Sequence, residues 1–493
     1  MKFRLEWLGQ YLPGDLPGLA TLRRRLTDVG FIVEGTEGEG KDAVLEVELT
    51  ANRPDGMNHR GLAREAACAL GRPFRDVLAP APAEGAAAAS SLATVTIEAP
   101  DLCSRYSARV VEGIRVREAS AGVQERLRAL GMNPISSPVD ATNHVLWDIG
   151  QPLHAFDLDT LAKGPDGLPA IVVRRARAGE TLVTLDGVER TLFPEDLVIA
   201  DAERPVALAG VMGGLATAIT PSTTRVLLES AHFNATAVRK TARRHGMHTD
   251  ASHRFERGTD PETTLEALDR VVELLLADCG GTVARGTLDP LGTPRARKNV
   301  PLRHSRLVSF LGMDVPLARC IEILAALSFE VGEKVPGVLD VTVPTWRVDV
   351  EQECDLVEEV IRVVGYAALP ETLPHPYNPT WSEPVLAREE RARDLLAAAG
   401  FAEACTYSFV SAEENAPFAS CVEGTPPVVA NALGGPFTTM RSTPVVGLLR
   451  AARHNVRRGL GDLALFEVGR SYALVAARPV ESRRAAILLR GRR

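Results

Sequence analysis

The chain has few aromatic residues (5%) and no excess of positive charge, its formal net charge being −7. A field of that sign does not hold a polyanion, so any nucleic-acid contact has to come from local patches. The seven cysteines (Cys68, Cys103, Cys279, Cys320, Cys354, Cys405 and Cys421) stand singly, without a Cys-x-x-Cys pair. That excludes a zinc ribbon or a dithiol redox motif. Cys68 and Cys320, in apolar surroundings, read as small core residues. No run reaches the roughly 20 apolar residues of a membrane span. The opening MKFRLEWLGQYLPG lacks the apolar stretch of a signal peptide. These absences lead us to expect a cytoplasmic protein with no membrane contact. There is also no G-x-x-x-x-G-K-[ST], no serine nucleophile elbow, no H-E-x-x-H and no G-x-G-x-x-G opening a helix.

What is present is ordinary globular material: 493 residues, 45% hydrophobic and 24% charged, with room for about three or four domains of roughly 100–200 residues each. Leu19, Leu22, Leu26 and Val29 recur at helical spacing, and Gly30 stops the helix. VLEVEL (44–49) alternates as a half-buried strand does, and GLAREAACAL before Gly71 reads as a helix. APAPAEGAAAASS (79–91) reads as a linker. Residues 94–290 alternate strand and helix signals, with a hairpin turn at Asp186-Gly187. A helix is expected to start at Thr259-Asp260-Pro261, with Leu265, Leu268, Val272, Leu275 and Leu276 as its apolar stripe. LDPLGTPRARKN (288–299) reads as a second linker and the Pro-rich 369–384 as a third. Between them lie two helices, the strand VLDVTVP and a helix around Leu356 to Val364. The last unit ends on the apolar run RAAILLRGRR, read as an unpaired strand and hence as a truncated or unusually short C-terminus.

Five features invite a chemical reading. The stretch Arg239 to Glu262 holds six Lys/Arg and three His with few large apolar residues. It is either a solvated helix face with a loop or a surface presenting donors to an anion. On a helix, Asp355, Glu358 and Glu359 share a face at i, i+3 and i+4, with Asp349 upstream. Grouped hard oxygens suit Mg²⁺, although acids also gather at helix N-termini simply to complement the dipole. His154 and Asp157 are expected in a loop, where a structural histidine and a functional one look alike. Gly210, Gly213 and Gly214 allow close approach of a backbone or merely make a turn. Glu229 ends an apolar strand, and a buried carboxylate there needs a donor. The spacing of His245, His248 and His253 matches no defensible metal site.

The ordered blocks together resemble the β subunit of bacterial phenylalanyl-tRNA synthetases. They are ELTANRPDGMNHRGLAREAACAL (48–70), SPVDATNHVLWDIGQPLHAFD (137–157), ALAGVMGG (207–214), VLLESAHF (226–233), RRHGMHTDASHRFERGTDP (243–261), PTWRVDVEQECDLVEEVIRVVGY (344–366), and TYSFV through LFEVG (406–469). The resemblance implies an α+β multidomain chain. Its parts are an N-terminal α+β domain (1–78), a linker (79–93) and a large mixed α/β editing domain (94–290). A small helical winged-helix-like domain with the metal site (296–370) follows, and then a truncated class II synthetase-like antiparallel-sheet domain (382–493).

The resemblance also implies an assembly of two α and two β subunits acting on tRNA(Phe). The α subunit binds ATP and phenylalanine, and the β subunit hydrolyses mis-attached tyrosine. Family editing residues fall on His154, Gly213, Glu229, Thr249 and Ala251. Glu229 is expected to accept the tyrosine hydroxyl, Thr249 and Ala251 to line the pocket, Gly213 to admit the ester, and His154 to position water or ribose. Arg239, Lys240, Arg243 and Arg244 are expected to form a rim for the tRNA end. The family's Mg²⁺ positions fall on Asp349, Asp355, Glu358 and Glu359. The sequence also departs from the family. Only TEGEGKDA (36–43) stands where an RNA-binding OB-type domain is usual, Asn133 stands where an Arg is frequent, and no anticodon-binding module follows. Two further readings remain open: a non-catalytic paralogue and a free-standing trans-editing hydrolase.

Overall fold

The computed structural model describes residues 1–293, 296–373 and 383–491. The chain divides into two compact units, Met1–Glu371 and Thr372–Arg493. The Pro-rich segment 374–382 and Pro294-Arg295, parts of two expected linkers, lie outside the described residues.

The first unit opens with a three-stranded antiparallel sheet. Val44–Glu48 runs in its centre, between Lys2–Arg4 and Ile32–Glu37. The expected alternation is present, with Val44, Leu45 and Val47 buried and Glu46 and Glu48 exposed. The short turn Gly40–Asp42 joins the last two strands where the family insertion would stand. Helices Leu19–Asp28 and His59–Leu70 cover the sheet, and Phe3, Trp7, Leu22, Leu26 and Leu62 fill its core. The second helix starts where the Asn58 side chain accepts from Gly61 N (2.7 Å), and it ends at Gly71 with φ 62°.

Two five-stranded sheets follow. One holds, in order, Met212–Gly213, Pro205–Leu208, Leu197–Ala200, Ala170–Arg175 and Thr94–Ile97. The other holds Glu84–Ala88, Thr282–Arg285, Cys103–Glu112, Arg225–Phe233 and Leu153–Asp157. Arg225–Phe233 is the pivot, paired antiparallel on both sides. Because side chains alternate across a strand, Tyr106, Ala108, Phe156 and Leu227 enter a core shared with the first sheet. Val111, Ala155, Val226 and Leu228 pack instead on helices Ser137–Ile149 and Thr264–Cys279. Both faces are buried, which explains why VLLESAHF carries a near-continuous apolar run.

Three expectations change here. Residues 79–91 are not simply a linker, because Glu84–Ala88 adds a parallel strand to Thr282–Arg285 and Arg109 pairs with Glu84. Ala and Gly hide this in the sequence, yet Gly85 packs so closely that a Cβ there would press on Thr282. The long helix begins at Thr264, not Thr259. Asp260 closes a turn first, accepting from Glu262 N (2.9 Å) and Thr263 Oγ1 (2.7 Å). Residues 288–291 likewise are tied down, bridging Ala108 and Arg105.

Residues 299–364 form a sheet ordered Asn299–Arg303, Val338–Thr342, Glu330–Val335, with helices His304–Leu311, Leu317–Ala326 and Glu353–Val364. Two of these strands carry no clear sequence signal. One contains Pro301, and the other is an exposed edge with almost no apolar alternation.

In the second unit, Leu463–Val475 and Arg478–Arg490 pair through their whole lengths. The closing apolar run is therefore a paired strand, not an orphan. Ala476 and Ala477 take φ of 48° and 62° in the connecting turn, which a sequence normally announces with Asn-Gly. Ala402–Glu403 adds a parallel edge, and the Val445–Arg457 helix buries Val446, Leu448 and Ala452. Among the described residues no helix is long and apolar enough to cross a membrane.

Candidate functional site

His154 and Glu229 meet because their strands pair in register, His154 standing directly opposite Glu229 on the face toward the first sheet. Both are buried. Desolvation pushes the Glu229 carboxyl up to about 8, only partly offset by the neighbouring Tyr106 hydroxyl. The same desolvation brings the His154 imidazole down to about 4. At neutral pH both groups are therefore uncharged. Among the described residues His154 Nε2 and Glu229 Oε2 have no hydrogen-bond partner, and both residues line one cavity of about 270 Å³.

The other expected residues arrive from separate elements. Gly213 ends the edge strand of the first sheet. The helix Asp250–Phe255 begins in a capping box: Thr249 Oγ1 accepts from Ser252 N (3.0 Å) and Ser252 Oγ accepts from Thr249 N (2.9 Å). Thr249 Oγ1 also donates to Val211 O (2.8 Å), tying that helix to the loop beside Gly213. The Thr249 hydroxyl is thus largely committed to building the wall. Ala251 packs at the rim of the core. All five expected pocket residues line the one cavity, joined by Asn143, Leu146, Leu185, Met212 and Phe255. Sequence reasoning assigned none of those five a role, nor Tyr106. Tyr106 was within reach of it, since it precedes Ala108 by two residues on a strand paired with the one carrying Glu229.

A Cβ at Gly213 would lie 2.8 Å from His154 Nε2, so the glycine leaves room for the imidazole at the cavity wall.

Of the four basic residues, Arg239, Lys240 and Arg243 are exposed on one face of the Ala235–Arg244 helix, opposite the buried Val238, Thr241 and Ala242. Arg244 is committed elsewhere. It pairs with buried Asp196 and lies over the Phe193 ring at 5.2 Å.

The four acids assigned to Mg²⁺ do not converge. Asp349 accepts two hydrogen bonds from Arg347, each 2.9 Å. Asp355 Oδ2 accepts from the backbone N–H of Glu351 (2.8 Å) and Gln352 (2.7 Å), which caps the helix. Burial alone would raise the Glu359 carboxyl, but Arg362 and Arg347 hold it well below the usual range. Glu358 is exposed. These side chains do not fit a magnesium ion as they stand. Asp349 and Glu359 belong instead to a buried network with Arg347, Arg362, Glu65, Arg53 and Asp55. Among the described residues, the one trio of close metal-type ligands is His248, His253 and Glu256. There the Arg257 guanidinium already bonds both His253 Nδ1 (3.0 Å) and Glu256 (2.5 Å).

Three parts of the chain are similar to known protein families. Residues 102–280 match the B3/4 domain, 300–366 the tRNA synthetase B5 domain, and 369–493 the phenylalanyl tRNA synthetase beta chain CLM domain. The chain is 46% identical to the phenylalanine–tRNA ligase beta subunit of Anaeromyxobacter dehalogenans (strain 2CP-C), over 88% of this chain and 54% of that one. The Moorella thermoacetica counterpart is 43% identical over 97% and 59%, and that of Geobacter sulfurreducens 42% over 92% and 57%. A solved N-terminal fragment of the Pyrococcus horikoshii phenylalanyl-tRNA synthetase beta subunit is 16% identical, with a TM-score of 0.41, covering 74% of this chain and 99% of that one. The chain spans little more than half the length of the curated relatives it matches. A multidomain α+β architecture carrying B3/4 and B5 domains defines a subunit of an aminoacyl-tRNA synthetase. The chain belongs to the phenylalanyl-tRNA synthetase beta-chain family.

Proposed function

We propose that this chain serves as beta subunit of a phenylalanine–tRNA ligase and that its 270 Å³ cavity hydrolyses tyrosine wrongly esterified to tRNA(Phe). The observation that carries this reading is Glu229, a buried carboxyl, neutral at pH 7, with an unpartnered oxygen facing a mostly apolar cavity. A neutral carboxyl can both donate to and accept from a phenol hydroxyl. Phenylalanine in the same place would leave it unpaired, and an unpaired buried polar group is a strong basis for rejection.

In the reaction, water oxygen bonds to the ester carbonyl carbon, the C–O bond to the ribose breaks, and the ribose oxygen takes a proton. His154 is neutral and too weakly basic to be a strong general base, so its part is to orient the water or the terminal ribose. Thr249, Gly213 and Ala251 shape the wall. Arg239, Lys240 and Arg243 meet backbone phosphates, which position the tRNA end while the pocket reads the amino acid. The partners in this reading are an α subunit, two copies of each chain, with ATP and phenylalanine on α. The 296–370 region is read as winged-helix-like, and the second unit as a class II-like scaffold for α.

The test is deacylation of Tyr-tRNA(Phe) and Phe-tRNA(Phe) by the chain, with and without co-expressed α subunit. Selective release of tyrosine is expected in at least one condition. No release in either rules out the editing role.

A further inference from the structure

A second cavity, of about 260 Å³, lies within the first unit, away from Glu229, between the loop at Pro54, the turn at Asp260 and the indole of Trp346. Its lining includes Arg64, which is 6% exposed. This guanidinium makes no ion pair and no hydrogen bond among the described residues, and its Nε is buried without a partner. Its contacts are with two rings: it lies 4.2 Å over Trp346 and 5.3 Å over Phe74. Desolvation, with nearby Arg60, brings it down to about 10. A buried charge is costly unless it is paired, and every other strongly buried arginine near it has a carboxylate. Arg53 has Asp55, Arg347 has Asp349 and Glu359, and Arg254 has Asp250 at 3.3 Å.

The remaining lining says what the missing partner is. Of the lining acids, Asp55 is taken by Arg53, Glu262 by Arg297, and Glu266 by Arg60. Among the described residues Asp260, which lines the same cavity, has no cationic partner, only the backbone N–H and hydroxyl of its own turn. One unpaired cation and one unpaired anion therefore face a single space without pairing to each other. An inorganic polyanion would meet Arg64 but be repelled by the acids. A ligand bearing one carboxylate and one ammonium group satisfies both.

We propose that this cavity binds a small zwitterion of the amino-acid class, its carboxylate on Arg64 and its ammonium toward Asp260, with Trp346 and Ile149 as the apolar wall. A guanidinium packed against the Trp346 and Phe74 rings is held in place, and its planar fork matches a carboxylate. This site is independent of the editing reading, since it shares no lining residue with that cavity.

Isothermal titration calorimetry on the full chain tests it with L-phenylalanine, acetate and inorganic phosphate as probes. L-Phenylalanine is expected to bind more tightly than acetate, and phosphate not at all. Arg64→Met should weaken L-phenylalanine binding at least tenfold, while Glu229→Ala leaves this site unchanged. Asp260→Asn, at a half-exposed turn, should abolish the preference over acetate even if Arg64→Met does not fold. Retained binding in Arg64→Met, tighter binding of phosphate than of the amino acid, or no binding of any probe to the unaltered chain would overturn the proposal. The last result would leave Arg64 as a structural clamp between Trp346 and Phe74.

Discussion

Gly213 and His154 occupy one space: the imidazole sits where a side chain at 213 would begin, 2.8 Å from Nε2 to the place of a Cβ. The glycine is thus a condition for the histidine's position, and the two act as a unit. Gly213→Ala is expected to cost about 1–3 kcal/mol, the range for overpacking a filled core. His154→Ala alone should also destabilise, by leaving a void. The double substitution should recover much of the loss, and urea unfolding of all four chains measures the coupling.

Glu229→Ala is expected to remove discrimination between tyrosine and phenylalanine esters while leaving the fold intact. One hydrogen bond to a buried group corresponds to about 1–3 kcal/mol, or roughly 5- to 160-fold in relative rate. Deacylation of both charged tRNAs measures it. Unchanged discrimination would remove Glu229 from the recognition role.

Stability should depend on pH in two opposing ways. Unfolded, Glu229 ionises near 4.5, whereas folded it ionises near 8. Between those values the native state holds the extra proton, so stability falls as pH rises through the window. His154 takes a proton near 6.5 when unfolded but only near 4 when folded, so its contribution is lost as pH falls from 6.5 toward 4. Glu229→Gln should therefore gain stability over the unaltered chain on going from pH 5 to pH 8, by a few kcal/mol at about 1.4 kcal/mol per pKa unit. Denaturant midpoints at the two pH values decide it.

The acids Asp349 and Glu359 are predicted to matter as ion-pair partners, not as metal ligands. Glu359→Gln leaves Arg347 and Arg362 short of a charge and should cost about 3–5 kcal/mol, as breaking a buried pair does. Removing magnesium with EDTA should leave the melting temperature of this chain unchanged. A fall on chelation would restore the metal reading.

Arg243 and Arg244 are neighbours in sequence with different expected consequences. Arg243→Glu, at an exposed position, should slow deacylation of tRNA-linked tyrosine, make the rate fall less steeply with salt than in the unaltered chain because one phosphate contact is lost, and leave the melting temperature within about 1 °C, since such surface changes stay near ±0.5 kcal/mol. Arg244→Glu faces Asp196 and Glu195 and should lower the melting temperature by several degrees. Thermal unfolding and deacylation rates on both variants separate the two roles.

Much of the architecture was legible because it rests on local patterns. The alternation in VLEVEL, the apolar stripe from Leu265 to Leu276, the Asp186-Gly187 turn between the paired strands Thr181–Val183 and Glu189–Thr191 and the ordered family blocks each announce an element or a relationship by themselves. The elements that escaped are those defined by their partners. Glu84–Ala88 looks like a linker until Thr282–Arg285 lies beside it. Arg478–Arg490 looks unpaired because two alanines make a turn that usually needs Asn-Gly. The cavity was half legible: its polar residues could be named one by one, but their protonation could not. Helical spacing brought Asp355, Glu358 and Glu359 to one face, yet hydrogen bonds and arginines from other segments decided what each carboxylate does. The charges of His154 and Glu229 follow from depth between two sheets, and Arg64 is unpaired only because three distant segments close around it. Spacing is a property of the chain, whereas desolvation and pairing depend on everything packed against a residue, and only the tertiary structure brings those groups together.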